Sequence, residues 1–254
     1  MLLLGPALGL VAAGCASFPE SAARQMQDAH RAYLDRKYAA SEQLLTPVIE
    51  GHAKHPEAAE ALYVRGLCYL QTNRRTQARA DFERALATSQ RPVLTALLRA
   101  QLGNLEFDDG HYARASELYA EAERDLPEGP PTDRIVYQQG VGLQRAGRFA
   151  DARVVLAKMF IDYPGSPYAA DARRKYKWKY DYFTVQCGAF TQIATAHEIA
   201  ARLRQKGFDA LAVPDDRSGS KLHYVHAGKH PDFASAAAAA ETIRSVIPDA
   251  FVVP

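Results

Sequence analysis

The sequence predicts a multidomain chain: an all-α solenoid of helical hairpins, followed by a small α+β module. The module has the order β-α-β-β-α-β, an antiparallel sheet with two helices on one face. Two observations carry this reading. Small residues recur every 37 positions through the middle of the chain, the mark of stacked repeats. In the last third, two similar halves each begin with an alternating strand that leads into an Ala-rich helical stretch. A length of 254 residues accommodates such a pair of domains. Basic and acidic residues nearly balance, 31 against 29, so no strong field for nucleic acid is expected.

The first element is apolar. Residues 1–14 are small and hydrophobic and stop at Cys15. As a helix they would reach about 20 Å, short of the roughly 30 Å of a hydrocarbon core, so they read as a secretory signal peptide. Ala12-Ala13-Gly14-Cys15 resembles the lipobox of bacterial lipoproteins. That resemblance implies lipidation at Cys15, a lipidated tether over 15–20, and membrane attachment through the lipid. Ala16 in place of Asp implies sorting to the outer membrane, facing the periplasm. An ordinary signal-peptide cut and an uncleaved anchor are the alternatives. Cys68 and Cys187 lie in apolar surroundings in different predicted domains and are expected to stay free as small core residues.

The array is expected over 21–166, in about four repeats. Gly66, Gly103 and Gly140 stand 37 apart, and one step back lands on Ala29. Twelve residues after each come Ser41, Ala78, Ala115 and Ala152, and four further on Leu45, Phe82, Tyr119 and Leu156. A last column holds Val48, Ala85, Ala122 and Met159, and a column nine after the small residue holds Tyr38, Arg75, Tyr112 and Phe149. Small residues let paired helices approach, and the large column fills the groove beside them. Thr72-Asn73, Asp108-Asp109-Gly110 and Ala146-Gly147 read as the turns between partners. The pattern resembles the tetratricopeptide repeat (TPR), which implies a concave surface that holds a protein partner. Residues 167–180 are expected to form a capping helix and basic linker, with Arg173, Arg174, Lys175, Lys177 and Lys179 as a solvated helix end around Tyr176 and Trp178.

The module is expected over 181–254. Its first strand runs through Tyr182-Phe183-Thr184-Val185-Gln186-Cys187-Gly188-Ala189-Phe190, and a later strand ends in Val225-His226-Ala227-Gly228. Helices are expected over 195–206 and 235–246, a second strand over 208–213, and a polar turn over 214–220. These motifs resemble the SPOR (sporulation-related repeat) domain, with its V-Q-x-G-[SA]-F strand, a helix ending in K-G, and a later V-x-x-G. The resemblance implies binding of peptidoglycan, especially peptide-poor glycan strands.

Alternation places Val185, Cys187, Val225 and Ala227 toward the helices and leaves Thr184, Gln186, Tyr224 and His226 on the open face. Amide, hydroxyl and aromatic groups there suit a sugar. Gln186 matches the family's glutamine; Phe190 matches its aromatic, as a glycan contact or a core filler. His223 and His226 fall on opposite faces, so no metal is expected, and no cofactor either. Paired acids such as Asp108-Asp109 lie in turns, and no catalytic motif is present. The chain therefore reads as a non-catalytic envelope lipoprotein acting in cell division or wall remodelling. The alternative is an outer-membrane scaffold or assembly lipoprotein whose terminal module does not bind glycan.

Overall fold

The computed structural model describes residues 18–215 and 222–254. The signal segment 1–14, Cys15 and most of the expected polar turn lie outside the described residues. Two compact units divide between Ser89 and Gln90.

The first unit holds α1 (Glu20–Leu34), α2 (Tyr38–Gly51), α3 (Ala58–Gln71) and α4 (Arg75–Thr88). The second begins with α5 (Pro92–Asp108), α6 (Tyr112–Glu123), α7 (Thr132–Arg145) and α8 (Phe149–Asp162). Consecutive helices pair as hairpins: α1 with α2, α3 with α4, α5 with α6 and α7 with α8. The 37-residue period is built into their turns. Arg36, Asn73, Gly110 and Gly147 all take positive φ, at 60°, 58°, 84° and 77°. The next N–H in each turn bonds a carbonyl five residues back: Lys37 to Ala32, Arg74 to Tyr69, His111 to Glu106 and Arg148 to Leu143, at 2.8–2.9 Å. This closure satisfies carbonyls that the helix end would otherwise leave open. The second helix of every hairpin then starts on the Tyr38, Arg75, Tyr112, Phe149 column.

The small column sits where partner helices touch. A Cβ on Gly66 would lie 2.4 Å from the Phe82 ring, one on Gly103 2.9 Å from Tyr119, and one on Gly140 2.8 Å from Leu156. In the first unit, buried Arg65 adds a two-pronged ion pair to buried Asp81, Nε to Oδ2 at 2.7 Å and Nη2 to Oδ1 at 2.8 Å. The guanidinium fork matches the carboxylate, which is the condition for such a pair to be tolerated away from water.

Past a capping helix, α9 (Ala169–Tyr176), the chain enters the sheet module: β1 (Phe183–Phe190), α10 (Ile193–Gln205), β2 (Ala210–Asp215), β3 (Leu222–His230), α11 (Phe233–Ile243) and β4 (Phe251–Val253). The strand order is β2-β3-β1-β4, every neighbour antiparallel. Helices α10 and α11 cover one face, over a core that includes Val185, Cys187, Ala200, Leu203, Val225 and Ile243. Burial pushes the Cys187 thiol up to about 11, so it stays protonated in that core. Pro214, expected in the turn, instead lies in β2. β2 is an edge strand, where a residue without an N–H costs no ladder bond.

Replacing a mid-helix Gly by Ala ordinarily gains about 0.5–1 kcal/mol of helix stability, whereas forcing a methyl into a packed contact costs about 1–3 kcal/mol. At 2.4 Å the contact term wins. Gly66→Ala should therefore lower the melting temperature, and Phe82→Leu in the same chain should cost less than it does in the wild type. Additive effects in that double-mutant cycle would show that the two columns do not meet.

Candidate functional site

The module does not hang free of the array. Phe149, the first residue of α8, meets Phe183 at the start of β1 with ring centroids 5.0 Å apart, and both are buried with Trp178 and Ala236. Trp178 is only 2% exposed, and its indole N–H donates to the Tyr182 carbonyl at 3.0 Å. Beside this plug, the Arg145 guanidinium lies 4.3 Å above the Phe233 ring and 4.8 Å above Phe107. The turn between α7 and α8 approaches the module so closely that a Cβ on Gly147 would lie 2.9 Å from the Pro231 carbonyl oxygen. Arg153 completes the seam, donating to the Asp181 carboxylate at 2.7 Å. Of the expected solvated helix end, Arg173, Arg174, Tyr176, Lys177 and Lys179 are exposed, whereas Trp178 is buried and Lys175 half-buried against the module. Alternation within a short helix does not reveal that another domain lies against it.

Docking divides the face of the sheet opposite the helices into two regions. The larger is a cleft of about 490 Å³ between the C-terminal end of α9 and the strands. Gln186 of β1, Tyr224 of β3 and Phe251 of β4 line it from the sheet, and Arg174, Lys175 and Trp178 from the α9 side. That volume falls in the range of about 300–1,000 Å³ typical of small-ligand sites. The smaller is a crevice of about 20 Å³ beneath Tyr180 and Tyr182, where Thr184 and His226 lie. It is enough for roughly one water molecule and too small for a sugar ring.

The expected site residues therefore separate. Gln186 and Tyr224 share the cleft, both half-buried. Thr184 is 1% exposed and its hydroxyl donates to the Ala227 carbonyl at 3.1 Å, so its hydrogen-bonding group is spent on the sheet. His226 is 6% exposed, its ring 5.9 Å from Trp178. Both depart from the open-face expectation for one reason: alternation assigns a face, and the 178–182 segment covers part of that face. Phe190 packs against the core beneath the helices. Its ring folds over Gly188, whose Cβ would lie 2.7 Å away. Phe251, 49% exposed, is a cleft residue that sequence reasoning missed; its strand is too short for alternation to show which side chain faces out.

The cleft is amphipathic. Phe251 and Tyr224 offer aromatic surface, and Gln186 a carboxamide that both donates and accepts. On the cationic side, Lys175 Nζ donates to a main-chain oxygen of Pro254 at 3.2 Å, and burial holds its ammonium below the usual lysine range. Arg174 pairs with Asp171 and keeps a side chain 77% exposed. Asp171 also accepts from the Tyr137 hydroxyl.

Hairpins that pack through a small-to-large column, joined to an antiparallel sheet module, define a binding architecture of known type. The chain combines a tetratricopeptide repeat, matched by its family model over residues 59–90, with a C-terminal SPOR domain, matched over 179–254. Both are binding or scaffolding domains. A search of curated proteins gives no match. Similar solved structures are helical-repeat proteins. The pilF protein of Pseudomonas aeruginosa is 15% identical over 91% of this chain and 93% of its own, with a TM-score of 0.51. PilW, a type IV pilus biogenesis factor, is 18% identical over 63% of this chain and 70% of its own, with a TM-score of 0.51. A tetratricopeptide repeat protein of Parabacteroides merdae is 13% identical over 63% of this chain and 60% of its own, with a TM-score of 0.53. At these identities the likeness concerns the fold alone.

Trp178 is the single tryptophan of the chain, so its fluorescence reports on the docked joint. Truncating a buried Phe typically costs about 3–5 kcal/mol. Phe149→Ala should shift the Trp178 emission to the red and make the 177–182 segment sensitive to protease. Unchanged emission would mean that Phe149 does not hold the joint.

Proposed function

We propose that this chain is a non-catalytic envelope lipoprotein that binds peptidoglycan glycan strands in the cleft beside α9. The hairpin array recruits a protein partner on its concave face, in cell division or wall remodelling. The observation that carries the reading is the meeting of Gln186 and Tyr224 in one sugar-sized cleft of a SPOR domain. A pyranose has an apolar face that stacks on an aromatic ring and hydroxyls that pair with a carboxamide, which is the chemistry these residues offer. Glycoside hydrolysis commonly uses a pair of carboxylates. The described lining residues of the cleft include no Asp or Glu, which supports binding over cleavage. The outer-membrane lipid anchor at Cys15 rests on the resemblance of residues 12–15 to a lipobox. With membrane and wall contacts on one chain, modest affinities at each would suffice, because the second contact is then local.

Cosedimentation of the full chain with purified sacculi tests this reading. Amidase-treated sacculi, rich in peptide-free glycan, should bind better than untreated ones. A lost hydrogen bond costs about 0.5–1.5 kcal/mol and each stacking contact a similar amount, so Gln186→Ala with Tyr224→Ala should weaken binding about tenfold or more. Neither side chain belongs to the helix-side core, so the melting temperature should stay near that of wild type. If the wild type never cosediments, the alternative stands: a scaffold lipoprotein working through its array. If the folded double variant binds as well as wild type, the glycan lies elsewhere.

A further inference from the structure

A second cavity, of about 380 Å³, opens where the last hairpin meets the module. Gln144 and Arg145 of α7 and Lys175 of α9 line it on one side, Glu241 of α11 and the next residue but two, Arg244, on the other. Its charge is unbalanced. Three cations meet one carboxylate among the described lining residues, and that carboxylate is already engaged: Glu241, with a side chain 79% exposed, accepts from Arg244 Nη1 at 2.7 Å. Arg145 is half-buried, with its guanidinium carbon 4.3 Å, 4.8 Å and 5.4 Å from the ring centres of Phe233, Phe107 and Tyr112. Rings meet the flat faces of a guanidinium, while its N–H groups lie at the edge. Among the described residues, no acceptor takes those N–H groups. Lys175 spends one of its three N–H groups on a main-chain oxygen of Pro254. Burial, with Arg174 and Arg145 nearby, holds its ammonium below the usual lysine range against the opposing pull of Asp171. Gln144 is an independent sign: it is 4% exposed, and its carboxamide has no hydrogen-bond partner among the described residues.

We propose that this cavity is an anion site for a phosphoryl group, held by Arg145 and Lys175 with Gln144 donating its amide, so that the ligand bridges the array and the module. The two cations left without a carboxylate match the charge of roughly −1.5 to −2 that a phosphate monoester carries near pH 7. Its three terminal oxygens can take N–H groups from a guanidinium, an ammonium and a carboxamide together, which a carboxylate with two oxygens does less completely. An unpaired buried amide is costly, and a ligand oxygen facing Gln144 removes that cost. The volume lies in the range of about 300–1,000 Å³ of small-ligand sites, so a small group carrying the phosphate is accommodated. Gln186 and Tyr224 do not line this cavity, which makes it separate from the proposed glycan contacts.

The test uses the full chain, with inorganic phosphate and glycerol 3-phosphate titrated by calorimetry at constant ionic strength in chloride. One saturable site per chain is expected. Lys175→Gln should weaken binding about tenfold or more, and Gln144→Leu several-fold, whereas Gln186→Ala should bind as wild type does. Phosphate at ten times its Kd should raise the wild-type melting temperature by about 3–5 °C. Lys175→Gln should show much less of that rise at the same concentration. An equal rise in both chains is the general stabilisation that phosphate gives any protein, and it overturns the site. Vesicles of phosphatidylcholine with and without phosphatidic acid separate the sources of the phosphoryl group. Binding of the soluble probes assigns a free phosphate ester; Lys175-dependent capture by the phosphatidic acid vesicles alone assigns a lipid headgroup. No saturable binding in any arm, or binding undiminished in both the Lys175 and Gln144 variants, refutes the proposal. None of these outcomes depends on whether the chain binds sacculi.

Discussion

The aromatic plug of Phe149, Trp178 and Phe183 holds the candidate site together. Full burial of a side chain of this size is worth about 1.5–3 kcal/mol, a sizeable share of the 5–15 kcal/mol that stabilises a typical domain. Domains joined by a polar seam move relative to one another by default, and a buried apolar joint is the exception. Here the joint begins inside the repeat period itself. The column that starts each second helix is aromatic in the last two hairpins, and those rings, Tyr112 and Phe149, are the ones that meet the module at Phe233 and Phe183. The same turn geometry that closes every hairpin brings Gly147 against the Pro231 carbonyl, an approach that both its φ of 77° and the 2.9 Å clearance reserve for glycine.

Within the module, a pseudo-repeat explains the site's position and its asymmetry. Val185 to Phe190 and Val225 to His230 follow one plan: a valine facing the helices, a glycine three residues on, and a ring two residues later that folds back over that glycine. Gln186 and His226 occupy equivalent places and sit opposite one another across β1 and β3. The pairing slips by one residue between Gln186 and Gly188, a bulge that places Cys187 opposite no partner of its own. Symmetry alone would make Gln186 and His226 equal candidates. The docked 178–182 segment breaks it, closing over His226 and leaving Gln186 at the edge of the cleft.

What was legible in the sequence follows from the range of the forces involved. Helix pairing is a local constraint, so Gly66 with Phe82 and Gly140 with Leu156 wrote their spacing into the chain, and the hairpins could be read from it. The left-handed turn positions were only half visible, because Arg36 and Asn73 adopt the conformation that Gly110 and Gly147 advertise. Faces of the sheet were legible through alternation, which correctly placed Val185, Cys187, Val225 and Ala227 toward the helices. Cover was not. Thr184 and His226 lie under residues that reach them only once the module docks on α8, and the places of Arg174 and Phe251 in the cleft wall depend on the same long-range packing.

That docking changes how the two binding surfaces relate. With a loose linker, a wall-bound module would leave the array free to search a volume set by linker length. In this chain the linker is itself structure: Trp178 is buried, Arg153 holds Asp181, and Lys175 reaches a main-chain oxygen of Pro254. Helix α9 is shared, since Ala172 packs into the fourth hairpin beside Met159 and Leu156 while the helix's C-terminal end walls the cleft. On the proposed reading, a strand held in the cleft would lie against the same helix that closes the hairpin stack. The third and fourth hairpins would then be presented at a set angle to the wall, and a partner bound to them would inherit that orientation. Proximity is the smaller part of what such a joint contributes; orientation is what a flexible tether could not supply.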